Sequence, residues 1–172
     1  MFMKLPYEFY NRHVVDVARE LIGKRLVCGA VEGIITETEA YRGGDDAASH
    51  AARGKTERSA IMFGSPGHAY IYIIYGVYYC LNIVTEPAGQ ASAVLIRGLK
   101  SSNVYLNGPG KLCCHLGINK QYNGLDLVEN DYMYLTSGID IKDCLVTPRI
   151  GISKATDKLW RFVMTPADLQ LC

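Results

Sequence analysis

The stretch from residue 69 to residue 99 constrains the fold more than any other part of the chain. AYIYIIY, YYCLNIVT and ASAVLIRGL are apolar runs rich in β-branched and aromatic residues, and Gly or Pro bounds each of them. Runs of this length with such boundaries predict strands. Two further β-rich runs come earlier, RLVC at 25–28 and GIITETEAY at 33–41, and the Gly-containing turn between them predicts a hairpin. In the second run Thr36, Thr38 and Ala40 face one way, while Glu37, Glu39 and Tyr41 face the other. The five runs together predict one sheet.

Helical patterning is confined to short segments. Val14, Val15, Val17, Ala18, Leu21 and Ile22 recur at helical spacing, with Asn11 as the expected N-cap and Gly23 as the stop. Asp45 and Asp46 are placed to cap a second helix over AASHAAR. A polar loop then runs to Gly67, and Gly108-Pro109-Gly110 opens a third helix, KLCCHL, that Gly117 ends. YMYLT, LVTPRIGI and KLWRFVM read as closing strands. No repeat, linker or low-complexity tract interrupts the 172 residues, so the expected fold is α+β: one domain over 1–172, a curved, mostly antiparallel sheet flanked by short helices.

With 49% hydrophobic and 20% charged residues, such a chain can bury a substantial core, which argues against disorder and against a disulfide-dependent scaffold. The six cysteines show no CxxC spacing, so neither a metal site nor a disulfide framework is expected. The first twenty residues lack a basic segment followed by an apolar one, and no apolar run reaches the roughly 18 residues that span a bilayer. A cytoplasmic protein is therefore expected, with no membrane partner.

Net charge is +1, which argues at first sight against a polyanionic partner. The distribution is uneven. Residues 121–140 hold Asp126, Glu129, Asp131 and Asp140 with no Lys or Arg, whereas 48–60 hold Arg53, Lys55 and Arg58 against Glu57. Residues 142–161 hold five cations against two carboxylates. A basic face opposite an acidic back is compatible with a near-neutral sum.

Several residues are out of place for a simple core. Glu37 and Glu39 share one strand face beside the apolar Ile34 and Ile35, and a partly desolvated carboxylate makes a good general base. The same pair would equally serve on an exposed face or in a salt bridge. Tyr70, Tyr72, Tyr75, Tyr78 and Tyr79 crowd around Gly76, offering flat faces for stacking and hydroxyls for hydrogen bonds. Tyr78 and Tyr79 read as sheet core, while Tyr75 at the turn is free to project. His50 lies on a short polar segment. Arg97, inside AVLIR, needs an anionic partner such as Glu39 or a phosphate, and Asn82, inside CLNIV, needs hydrogen-bond partners in the fold or in a ligand.

Taken together, ITETEAYRGGDDAASH, MFGSPGHAYIYIIYGVYYCLNIV, ASAVLIRGL and NGPGKLC resemble the alkyladenine (3-methyladenine) DNA glycosylase family. The likeness runs from about Val14 to Gly138, and RIGI and LWRF extend it more weakly to Phe162. Several motifs in one order make it specific. It implies a glycosylase-like α+β fold and a monofunctional enzyme of base-excision repair. Such an enzyme removes 3-methyladenine, 7-methylguanine, hypoxanthine and ethenoadenine from double-stranded DNA, acts as a monomer, and uses no cofactor and no metal. It also implies roles. Glu39 would activate the water, and Arg97 would hold that water or neighbouring charge. Tyr41, His50 and Tyr72 would stack around the flipped base, Asn82 would exclude normal guanine, and Tyr75 would fill the gap in the duplex. Arg53, Lys55, Arg58 and Lys111 are expected on the DNA backbone. The chain departs from the family in having ten residues between Arg97 and Gly108, where relatives commonly carry a longer basic insert; that weakens the expected grip on DNA there. A non-catalytic reader of nucleic acid, or a hydrolase of free nucleosides, would share part of this pattern; Glu39 argues against the first and an exposed Tyr75 against the second.

Overall fold

The computed structural model describes residues 2–172. Two short helices, α1 (Tyr7–Tyr10) and α2 (Val14–Glu20), precede strands β1 (Arg25–Cys28), β2 (Val31–Arg42), β3 (Ala69–Ile74), β4 (Tyr78–Val84), β5 (Ser92–Ser101) and β6 (Val104–Asn107). Helix α3 (Pro109–Leu116) follows, then β7 (Met133–Thr136), β8 (Cys144–Thr147), β9 (Arg161–Met164) and α4 (Pro166–Leu169). The nine strands form one sheet in which every pairing is antiparallel, with the path β3-β4-β5-β2-β1-β7. Strand β6 pairs with β5, β9 with β2, and β8 with β9.

Strand β2 organises this sheet. One of its edges pairs with β5; the other pairs with β1 as far as Ile34 and with β9 from Glu37 to Glu39. The register with β5 shifts between Ile35 and Thr38, and irregularities of this kind bend a strand and increase its twist. Gly98 sits opposite this irregularity, where an added Cβ would come within 2.9 Å of the Glu37 Cβ. The bend therefore falls where Glu37 and Glu39 are held between neighbours on both sides.

The expected alternation holds. Thr38 points toward α2, where its hydroxyl donates to the Ala18 carbonyl at 2.7 Å, and Glu37, Glu39 and Tyr41 take the opposite face. Val14, Val17 and Ala18 of α2, with Leu21 just after it, are buried in a core that includes Ile35, Ile96, Leu99 and Phe162. Each large side chain so buried contributes about 1.5–3 kcal/mol. Helix α3 starts at Pro109 and ends in the left-handed Gly117, as its sequence predicts. The six cysteines are all free thiols.

Four local expectations are corrected. His13, not Asn11, caps α2, its Nδ1 accepting from the Val15 amide at 3.3 Å, because α1 occupies the preceding residues and Asn11 is its C-cap; α2 itself ends at Glu20, before Gly23. AASHAAR forms turns rather than a helix, since Asp46 is drawn inward to an arginine. LVTPRIGI and KLWRFVM are strands only over 144–147 and 161–164, because Pro148 and Gly151 break the first and Trp160 lies in the irregular approach to the second. Tyr78 is not core: it is 52% exposed, while Tyr79 packs partly buried against the core. The short connection after Arg97 becomes the β5–β6 hairpin, an unanticipated strand pair.

Candidate active site

The end of β2, the β3–β4 hairpin and β5 line a cavity of about 420 Å3, within the range of small-molecule sites. Tyr41, His50, Tyr72, Tyr75, Asn82 and Arg97 all contribute to its lining. Residues widely spaced in sequence thus converge, each from a different structural cause: Tyr41 from the end of β2, Tyr72 and Asn82 from paired strands, Arg97 from β5, and His50 from the turns after Gly44.

Glu39 lies behind this lining with no exposed surface. Its Oε2 accepts the Tyr41 hydroxyl at 2.6 Å, and its Oε1 accepts the Ile150 amide at 2.7 Å, with Arg97 Nε 3.5 Å away. Burial, and then the negative charge of Glu39, push the Tyr41 hydroxyl far above the usual phenol range, so it stays protonated and donating. Arg97 bonds more closely to Glu37, Nε to Oε1 at 3.0 Å, and Arg161 Nε donates to that same oxygen at 2.6 Å. The expected partner of Arg97 is therefore only its second carboxylate; Glu37, shared by two arginines, is its first.

The aromatic wall is tied together by hydrogen bonds. His50 Nδ1 lies 3.0 Å from the Tyr70 hydroxyl, and its ring meets Tyr72 edge-on at 4.7 Å between centroids. Partial burial, then the Arg58 cation, lower the His50 pKa, favouring the neutral ring. Asn82 Nδ2 donates to the Tyr70 carbonyl at 3.1 Å, so the amide of this misfit in an apolar strand is satisfied within the fold while it also borders the cavity.

Tyr75 stands apart. It occupies the β3–β4 turn at φ +51, followed by Gly76 at φ +67, and is 89% exposed. A left-handed backbone costs a residue with a Cβ about 1–2 kcal/mol. A large aromatic ring is thus held in a costly conformation with almost no burial in return.

The four expected backbone contacts lie outside the cavity lining. Arg53 and Lys55 are in the turn-rich segment after His50, Arg58 packs its guanidinium 4.9 Å from the Tyr72 ring centroid, and Lys111 on α3 donates to Asn107 at 2.9 Å. Among the described residues no three His, Cys, Asp or Glu converge to hold a metal, and no helix is long and apolar enough to cross a membrane.

Residues 8–167 match the family model for methylpurine-DNA glycosylase. A protein of Rickettsia felis, provisionally named a 3-methyladenine DNA glycosylase, is 54% identical over 165 residues, covering 94% of this chain and 93% of its own. One of Ehrlichia ruminantium with the same provisional name is 48% identical over 170 residues, covering 95% and 90%. The chain belongs to the methylpurine-DNA glycosylase family. As a member it is a hydrolytic DNA N-glycosylase, an enzyme of DNA repair.

Sequence reasoning missed the buried support behind this candidate site. Arg149 has a side chain with no exposed area; it bonds Asp46 through two nitrogens at 2.6 and 2.8 Å, donates to the Ala40 carbonyl at 2.9 Å, and lies 4.7 Å from the Tyr41 ring centroid. Its neighbour Ile150 supplies the amide that holds Glu39. The available signal was a charge between Pro148 and Gly151, a break unsuited to the strand assigned there.

Proposed function

We propose that the protein extrudes damaged purines from duplex DNA and hydrolyses the bond between the base and C1′, leaving an abasic site. The observation that carries this is the pairing of a solvent-free Glu39 with an aromatic cavity whose rim bears the exposed Tyr75. A base within B-DNA cannot bring its glycosidic bond to a buried carboxylate, so it must leave the stack, at a cost of a few kcal/mol that is smallest for damaged pairs. Tyr75 offsets part of that loss by stacking in the gap.

Within the cavity, Tyr41, His50 and Tyr72 enclose the base. An ionised carboxylate offers about four lone pairs; Tyr41 and Ile150 take two, Arg97 approaches a third, and the remainder accepts a water. Glu39 takes a proton from this water as its oxygen bonds C1′, and the electrons of the breaking C1′–N bond leave with the base. For N3- or N7-alkylated purines that base departs neutral from a cationic start, so little acid catalysis is needed, and electron-rich rings favour the cation beforehand. Neutral hypoxanthine or ethenoadenine gains no such help and depends more on Glu39 and on hydrogen bonds. Asn82 serves to exclude the 2-amino group of normal guanine. Among the described residues no lysine borders the cavity, which suits water rather than an amine as nucleophile and hence a monofunctional reaction. Arg53, Lys55 and Lys111 are assigned to the phosphates.

The test is release of free base from a methylated duplex by the native protein and by Glu39→Gln. The native protein is expected to release base, and the variant to be slower by about 10²- to 10⁴-fold while still folded. Absence of release by the native protein would refute the reading, undiminished release by the variant would refute the role of Glu39, and faster action on a free nucleoside than on duplex would favour a nucleoside hydrolase.

A further inference from the structure

We infer that Arg58 is a specificity-determining residue that, by holding an unpaired guanidinium behind Tyr72, restrains the preference for cationic over neutral lesions. The inference rests on the glycosylase reading above and goes beyond it.

Tyr72 is a shared wall. It contributes to the cavity and also to a separate surface groove, and Arg58 lines only the groove. The Arg58 Cζ lies 4.9 Å from the Tyr72 ring centroid, and Arg58 makes no ion pair among the described residues. Tyr41 is backed in the same manner by Arg149 at 4.7 Å, but there Asp46 cancels the charge through a bidentate pair. The two stacking walls thus differ in charge: the cation beside Tyr72 has no carboxylate within ion-pair distance among the described residues, although Glu57 lines the same groove.

Its field reaches the cavity. The Arg58 charge depresses the pKa of His50, second to burial, and opposes the upward push of burial on Tyr70, Tyr72 and Cys80. A cation on one face of an aromatic ring draws electron density toward itself, leaving the other face less attractive to a second cation. A positive purine stacked on the inner face would also be repelled directly, at about 8 Å, a separation comparable to the screening length of physiological salt and one at which partly buried charges are screened less than exposed ones. A neutral lesion experiences neither effect. Arg58 therefore narrows the advantage that the aromatic cavity gives to alkylated, positively charged bases.

A phosphate contact by Arg58 is the rival role, and it predicts something different. Gripping the backbone helps every lesion equally, so it cancels in a ratio. Single-turnover base release is measured on two duplexes identical except for 7-methylguanine or hypoxanthine, with the native protein, Arg58→Gln and Arg58→Lys. We expect Arg58→Gln to shift the rate ratio toward 7-methylguanine on the order of tenfold. Arg58→Lys, which keeps the charge, should hold the ratio within about threefold of native. An equal fall on both duplexes, with the ratio unchanged, overturns the inference and leaves Arg58 as a phosphate contact. No release from either duplex by the native protein is a separate failure, which removes the glycosylase reading and this inference with it.

Discussion

Asp46→Asn tests how the site is built, because it removes one charge with almost no change in shape. Neither Asp46 nor Arg149 has exposed side-chain area, so solvent cannot compensate the arginine that remains. The asparagine keeps one oxygen for Arg149 but turns an N–H donor toward a second guanidinium N–H, while Asp46 also holds the Arg42 and Ala48 amides at 3.1 and 3.2 Å. Breaking a buried pair of this type costs about 3–5 kcal/mol, a large part of the roughly 5–15 kcal/mol that stabilises a typical domain. For a chain of this length each kcal/mol moves Tm by about 2–4 °C, so a fall of roughly 6–20 °C is expected in thermal unfolding followed by circular dichroism. A fall below about 3 °C would refute the reasoning. Asp46→Leu combined with Arg149→Met removes both charges and should recover most of the stability, since well-packed apolar replacements of buried pairs are often neutral or better. Base release by that double variant should nonetheless stay low, because the Arg149 that backs Tyr41 and anchors the strand break before Ile150 is gone. Full activity in the stable double variant would show that the pair only supports the fold.

Two further outcomes are expected. Tyr75→Ala should leave Tm within about 2 °C of native, because an 89% exposed ring contributes little to the core, yet weaken action on lesion-containing duplex about tenfold or more; unchanged activity would remove the wedge role. Because the His50 pKa is lowered by burial and then by Arg58, its neutral form and its contribution to folding are present above the ordinary histidine pKa and lost as pH falls through the depressed one. Release of 7-methylguanine should therefore lose more than release of hypoxanthine over that acid window, as His50 becomes a second cation beside the base. Parallel profiles for the two lesions, or no change in their difference on His50→Gln, would count against this.

What could be read from the sequence divides along physical lines. The period-two pattern of β2 shows which face carries Glu39 and Tyr41, because alternation is a local property of a strand. The expectation that Tyr75 projects follows from the turn residues around it, also a local matter. Arg97 and Asn82 were recognisable because a polar group in an apolar strand demands a partner. The identity of that partner was not, since Glu37 and Arg161 reach Arg97 only through pairing of β2 with both β5 and β9. Asp46 was read as a helix cap, a local role, and its true partner lies 103 residues away. Long-range ion pairs leave almost no trace in one sequence, whereas strand faces and turns do.

The same distinction reinterprets the near-neutral charge. Seven of the 18 Lys and Arg residues are engaged by carboxylates among the described residues: Lys4, Arg12, Arg25, Arg42, Arg97, Arg149 and Arg161. Arg97, Arg149 and Arg161 spend their charge inside the site, holding Glu37, Glu39 and Asp46 in place, and contribute little to long-range attraction. Arg53, Lys55 and Lys111, assigned to the phosphates, and Arg58 beside Tyr72 make no carboxylate pair among the described residues. The net charge of a chain therefore adds together two populations with different work: paired charges, buried or at the surface, that sum to about zero, and unpaired surface cations that meet a polyanion. Only the second population determines how strongly DNA is held.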